Sequence, residues 1–332
     1  MDEESPRGAS VQSTPWDLDG LVRDLRAARI RWRQSQTHNN EIGARAFPSR
    51  TSIETISSQL RSALFPLRLG PAEITEQSED FFVGQTLNAA LNALMGEVRV
   101  ELGYLLGEDT DSDGRDIATR ARQVVGAFAQ ALPEIRGILD SDVEAAFRGD
   151  PAARSVDEVL ICYPGIIAII HHRMAHVLYR LGVRLTARII SEVAHSLTGV
   201  DIHPGAQIGP AFFIDHGTGV VIGETAIIGS RVTVYQAVTL GAKSFPTDET
   251  GIATKDIPRH PIIEDDVVIY AGATILGRVT IGRGSLIGGN VWLTRSVPPE
   301  SRISQASSRR NVLKADGEHL LKALDHADAQ HG

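Results

Sequence analysis

At 332 residues, 42% hydrophobic and 22% charged, the chain has the composition of a folded globular protein rather than a disordered or fibrous one. Thirty-three basic against 41 acidic residues leave a net charge of −8, which argues against nucleic acid or an anionic membrane surface as the main partner. The single cysteine, Cys162, excludes an intrachain disulfide and a cysteine-based zinc centre, so a reducing, cytoplasmic setting is expected.

Residues 1–15 are polar and acidic and carry no signal-peptide pattern. Leu18, Leu21, Val22 and Leu25 recur at i, i+3, i+4 and i+7, which predicts a helix from Trp16 to about Arg33. Residues 34–50 read as polar linker, so 1–50 is taken as a partly disordered N-terminal extension. Apolar-periodic segments follow at about 52–65, 79–107, 115–131 and 133–148. The DTDSDG stretch at 109–114 lacks the glutamate of a calcium loop and reads as a helix-capping turn. Pro164 opens a helix that Gly182 stops, and another covers about 184–197. Residues 51–198 are therefore expected to form an α-helical domain. Its most apolar run, Val159 to Ile170, contains Pro164 and Gly165 and is too short to span a bilayer.

Beyond Gly199 the period changes. Ile202, Ile208 and Ile214 are six apart; after a two-residue phase slip Ile222, Ile228, Val234 and Leu240 keep the same step. After an interruption Ile263, Ile269, Ile275, Ile281, Ile287 and Leu293 carry it on, often followed by glycine. A period of six fits neither a helix nor a twisted sheet; it fits a parallel β-helix with three flat faces and one inward aliphatic side chain per face. Residues 243–261 carry three prolines, break the period and must leave the coil as a loop. The reading gives a coil over 199–297, ended by Pro298-Pro299, and a polar tail over 298–332 with a short helix at about 316–328.

Hexapeptide repeats behind a helical domain, with VDIHPGAQIG at 200–209, FIDHGTGVVIGETAIIG at 213–229, VTLGA at 238–242 and RHP at 259–261, resemble the serine O-acetyltransferases of the hexapeptide acyltransferases. The resemblance covers about 140–295 closely. It implies an α+β chain, an N-terminal α-helical domain followed by a left-handed parallel β-helix of hexapeptide repeats. The implied reaction moves acetyl from acetyl-CoA to the hydroxyl of L-serine, giving O-acetyl-L-serine for cysteine biosynthesis, with no metal.

A neutral hydroxyl needs a base to attack a thioester. His216, where an outward loop would present it, is the natural candidate. Asp201 lies 15 residues earlier, close to one coil, and the family pattern pairs it with His216 as the catalytic dyad. The resemblance assigns Asp215 and Asp150 to the serine ammonium, and Arg259 and His260 to its carboxylate. It assigns Gly241, Ala242, Ala271, Gly272 and Ala273 to the acetyl-CoA groove, where small residues let the pantetheine arm approach the backbone. Lys243 and Lys255 are candidate phosphate contacts. The chain departs from the family pattern in its Gly241-Ala242 turn, its longer loop before RHP, and SRISQASSRR in place of a GVPA-type segment.

His171, His172 and His176 on one helix read as core or interface packing, and His203 as a structural hydrogen-bonder. Flat faces and an edge groove imply a homotrimer with shared sites, the helical domain joining two trimers. L-cysteine, with the ammonium and carboxylate of serine, is the expected feedback inhibitor. The terminal Gly332 offers a carboxylate without a side chain, so no tight tail-mediated complex with O-acetylserine sulfhydrylase is expected. Two rival readings stand beside this one: a hexapeptide acyltransferase for another hydroxyl, homoserine or a sugar, and a non-catalytic cysteine-sensing scaffold.

Overall fold

Two backbone periods divide the chain, 3.6 residues up to Thr198 and six from Asp201 on. The computed structural model describes residues 16–35, 47–106, 113–244, 254 and 257–305; the predicted helix at 316–328, the terminal Gly332, the 109–112 part of DTDSDG and Lys255 lie outside them. Residues 1–46 and 47–332 form two separate units. The described part of the first is α1, Leu18–Ser35, opened by Asp17, whose carboxylate accepts the Gly20 N–H at 2.9 Å.

In the second unit the helices are α2 (Arg50–Leu64), α3 (Pro66–Leu69), α4 (Glu79–Leu106), α5 (Asp113–Gly149), α6 (Val156–Cys162), α7 (Pro164–Arg180) and α8 (Arg184–Thr198). The segments at 115–131 and 133–148 are one helix that runs through Pro133. Phe128, Leu132, Ile135 and Leu139 stay buried on one stripe across the proline, and that packing outweighs the lost backbone hydrogen bond. The short α3 and α6 show no periodicity of their own at this length. No described helix is long and apolar enough to cross a membrane.

Among the described residues fourteen short strands follow: β1 (Asp201–Ile202), β2 (Gln207–Ile208), β3 (Phe213–Ile214), β4 (Val221–Ile222), β5 (Ile227–Ile228), β6 (Thr233–Val234), β7 (Thr239–Gly241), β8 (Ile262–Ile263), β9 (Val268–Ile269), β10 (Thr274–Leu276), β11 (Thr280–Ile281), β12 (Leu286–Ile287), β13 (Trp292–Leu293) and β14 (Arg302–Ile303). They visit three parallel sheets in turn: face A holds β1, β4, β7, β10 and β13, face B holds β2, β5, β8 and β11, and face C holds β3, β6, β9, β12 and β14. Register keeps the hexad residues above one another, as in Ile202–Ile222–Leu240–Ile275–Leu293 on face A. All thirteen hexad residues but Ile208 and Leu293 are buried. Pro298-Pro299 does not end the coil: β14 (Arg302–Ile303) pairs with β12 beyond it. The prolines occupy a corner, where Pro298 and Pro299 pack over Gly282 and no ladder donor is needed.

The helices are joined to the first coil by a buried ion pair. Arg173 of α7 forks onto Asp142 of α5 at 3.0 and 3.1 Å, with 7% and 0% of the two side chains exposed. The same guanidinium donates to the carbonyls of Ile208 and, at 2.7 Å, Gly209, while Asp142 accepts the Phe212 N–H at 2.9 Å. Two helices and the corner between faces B and C thus share one charge pair with its hydrogen bonds satisfied. Removing one partner leaves a buried charge uncompensated, so Asp142→Ala is expected to lower the unfolding free energy by about 3–5 kcal/mol. Chemical-denaturant unfolding of wild type and variant measures this directly.

Candidate active site

The phase slip in the hexad pattern is a bulge. Val221 pairs with Asp201, twenty residues back, whereas Thr239 pairs with Val221, eighteen back, and the surplus sits between β3 and β4. At that corner, between faces C and A, the chain turns tightly, with the Gly217 N–H donating to the Asp215 carbonyl at 2.7 Å. His216 is held at φ +58°, a conformation β-carbon-bearing residues adopt sparingly. Its side chain stands out into solvent, 69% exposed. An extra two residues at one corner push this imidazole outward.

Carboxylates gather around it. Asp215 is 14% exposed and its Oδ1 lies 3.9 Å from His216 Nδ1. Asp150 follows the end of α5, where its Oδ1 accepts the Ala152 N–H at 2.8 Å and its Oδ2 accepts the Tyr163 hydroxyl. It caps no helix, since α6 is capped by Ser155. The Tyr163 hydrogen bond, more than any other contact, holds the Asp150 carboxyl below its ordinary range, and His216 acts in the same direction. Tyr235 sits one coil above Asp215, and its ring stacks on Tyr270 of the next coil at 5.1 Å.

Among the described residues Asp201 makes no ion pair with His216; its carboxylate gathers with Glu192 and His195 at the end of α8, with one potential ligand atom from each within 4.8 Å. Glu192 is already paired with Arg188 at 2.5 Å. The carboxylate within ion-pair distance of His216 is that of Asp215.

Arg259 and His260 lie at a different corner, between faces A and B. The Arg259 guanidinium donates to Glu224 at 2.6 Å, and Glu224 also accepts the Tyr179 hydroxyl at 2.8 Å. The His260 ring fits over Gly223, where a β-carbon would stand 2.0 Å from His260 Cδ2, so only glycine leaves room for it. The Thr225 N–H donates to His260 Nδ1 at 3.0 Å, which places the ring proton on Nε2. Burial, reinforced by the Arg259 charge, lowers His260 to about 4, so it is a neutral donor at neutral pH. His203 is lowered by burial to about 4 as well; its Nδ1 accepts the Gly205 N–H at 3.0 Å, and its ring meets Tyr179 edge-on.

The candidate residues therefore form two half-sites. Asp150, Asp215 and His216 precede face A, and Arg259 and His260 follow it, a full face apart. The small residues divide the same way: Gly241 and Ala242 stand at the A–B corner, Ala271, Gly272 and Ala273 at the C–A corner. Lys243 is exposed beside the former. Sequence reasoning missed Tyr163, Tyr179, Glu224 and Thr225. Glu224 and Thr225 lay in the quoted IGET segment, but nothing in the pattern said what they would hold.

The family model described as bacterial transferase hexapeptide (six repeats) matches residues 260–295. A serine acetyltransferase of Synechococcus elongatus, plasmid, is 54% identical over 316 residues, 94% of this chain and 98% of that protein. The serine acetyltransferase of Bacillus licheniformis is 46% identical over 191 residues, 58% of this chain and 83% of the relative. Among solved structures, Entamoeba histolytica serine acetyltransferase 1 in complex with L-cysteine is 38% identical with a TM-score of 0.65. It covers 75% of this chain and 86% of its own.

Because His171, His203 and His260 are each lowered to about 4 by burial, the unfolded chain binds protons near pH 6.5 that the folded chain refuses. Stability must then fall as pH drops from about 6.5 toward 4. Proton NMR of the histidine rings checks the local cause: His260 is expected to titrate near 4, and a midpoint at the ordinary 6.5 contradicts its burial.

Proposed function

The chain belongs to the serine acetyltransferases, and on that premise we propose how its residues divide the transfer of acetyl from acetyl-CoA to the serine hydroxyl. It is an acyltransferase acting on serine. The observation that carries the assignment of roles is the corner bulge, which presents an exposed histidine beside two carboxylates.

His216 takes the hydroxyl proton as the serine oxygen attacks the thioester carbonyl. The tetrahedral intermediate then collapses, and the imidazolium returns the proton to the leaving CoA sulfur. No enzyme-bound acyl group is needed, because His216 activates the acceptor itself. Asp201 is read from the family pattern as the residue that orients His216, reached by a turn of the exposed imidazole. Asp150 and Asp215 bind the ammonium. Arg259, steadied by Glu224, and the Nε2–H of His260 bind the carboxylate, a bidentate contact fixing its direction. Gly241, Ala242, Ala271, Gly272 and Ala273 line the path of acetyl-CoA, with Lys243 near its phosphates.

Because the two half-sites stand at opposite edges of face A, the working site is read as forming between neighbouring chains, each supplying one edge. That requires a closed ring, a homotrimer of left-handed coils that run on through β14, with the helices of 51–198 joining two trimers. Cysteine offers the same ammonium and carboxylate as serine, and relatives of this fold bind it. It is expected to compete with serine here.

His216→Ala is expected to reduce kcat by about 10²–10⁴-fold with the KM for acetyl-CoA little changed. Retention of a third of the wild-type rate excludes His216 as the base. Asp201→Asn and Asp215→Asn separate the two neighbouring carboxylates. The orienting role predicts that Asp201→Asn lowers kcat, whereas Asp215→Asn raises the KM for serine. If only Asp215→Asn lowers kcat, the orienting carboxylate is the one 3.9 Å from His216 in the structure.

A further inference from the structure

The N-terminal end of α7 lies against the corner that carries His216. Gly165 packs on β3 so closely that a β-carbon there would stand 2.3 Å from the Ile214 carbonyl oxygen. Ile214 is followed directly by Asp215 and His216. Two residues before Gly165, Tyr163 occupies the N-cap position of α7 with Pro164 fixed at the first turn. The same tyrosine closes α6, its N–H donating to the Val159 carbonyl at 3.2 Å. Its backbone is therefore held from both sides, and its hydroxyl reaches Asp150. Asp150 stands on the connection after α5. One carboxylate oxygen closes its own turn on Ala152, and the other takes the Tyr163 hydroxyl.

We propose that Tyr163 is a positioning residue for the acceptor's ammonium: its hydroxyl aims the Asp150 carboxylate across the corner toward Asp215, so that the two acids bracket one cationic nitrogen. The inference rests on the reading of Asp150 as an ammonium ligand. With its turn and phenol bonds made, each Asp150 oxygen keeps an acceptor site for an N⁺–H donor. The phenol stays protonated at working pH, since its hydrogen bond to Asp150, burial and the nearby Asp150, Glu158 and Asp215 charges raise it to about 12. It is thus a fixed donor that adds no third negative charge. An ammonium held between the two acids would be neutralised by both. Without the phenol, Asp150 is free to swing into solvent.

The test is steady-state kinetics on Tyr163→Phe, Asp150→Asn and the double variant, with both substrates varied. Phenylalanine keeps the ring and removes only the hydroxyl. Losing a hydrogen bond to a charged group predicts a rise in the serine KM of about tenfold in Tyr163→Phe, with kcat and the acetyl-CoA KM within about twofold of wild type. KM does not depend on how much of the variant folds, so partial misfolding does not mimic this split. In the Asp150→Asn background the further Tyr163→Phe change is expected to add less than about twofold, because the hydroxyl then has no carboxylate to aim. If Asp150→Asn raises the serine KM and Tyr163→Phe does not, the positioning role is overturned. If Asp150→Asn leaves the serine KM unchanged, the ammonium reading of Asp150 fails and the inference falls with it.

Discussion

Every coil must place one aliphatic side chain per face into the same narrow interior, and that constraint governs the rest of the molecule. Stacked hexad residues such as Val234, Leu240, Ile269 and Ile275 are fully buried, so the prism interior has no room for a charged group. Chemistry is confined to the corners, where side chains point outward. A regular corner offers only a tight turn. Anything more elaborate needs extra residues, and the chain inserts them twice: two at His216 and a long loop before Arg259. Both insertions carry candidate site residues.

The helical region completes one of these corners. The Asp142–Arg173 pair locks α5 and α7 to the corner between faces B and C. Gly165 then brings the start of α7 onto β3, and Asp150 follows from the end of α5. A coil alone supplies Asp215 and His216; the helices supply Asp150 and Tyr163. The buried ion pair therefore helps to place the two helix ends that meet at the His216 corner.

Much of this was legible in the sequence because period is a one-dimensional signal. The change of period near Gly199 marked the boundary between helices and coil, and the slip between Ile214 and Ile222 marked the bulge. The helix through Pro133 was not legible, since proline argues locally for a break and only the buried stripe across it overrides that. Nor was the strand after Pro298-Pro299, because a coil corner tolerates the missing N–H that a strand does not. The family likeness carried the candidate roles residue by residue, but not the contacts that hold them. Glu224 beneath Arg259, Thr225 on the His260 ring and Tyr163 on Asp150 are pairs distant in sequence, fixed by stacking rather than by any local pattern. Asp201 shows the reverse case. Its spacing of nearly one coil from His216 pointed to a pair, while its carboxylate gathers with Glu192 and His195.

The separation of the half-sites is the central consequence of the fold. His216 precedes face A and Arg259 follows it, so with the proposed roles one chain presents the base and the ammonium acids at one edge and the carboxylate clamp at the other. A hetero-oligomer of two inactive variants, His216→Ala and Arg259→Ala, refolded together in equal amounts, tests this most directly. With sites shared between neighbours in a closed ring, random mixing rebuilds about a quarter of the wild-type sites, and activity should return to roughly that level. If the mixed oligomers form and activity stays at the level of the separate variants, each site lies within a single chain, and the shared-site account is wrong.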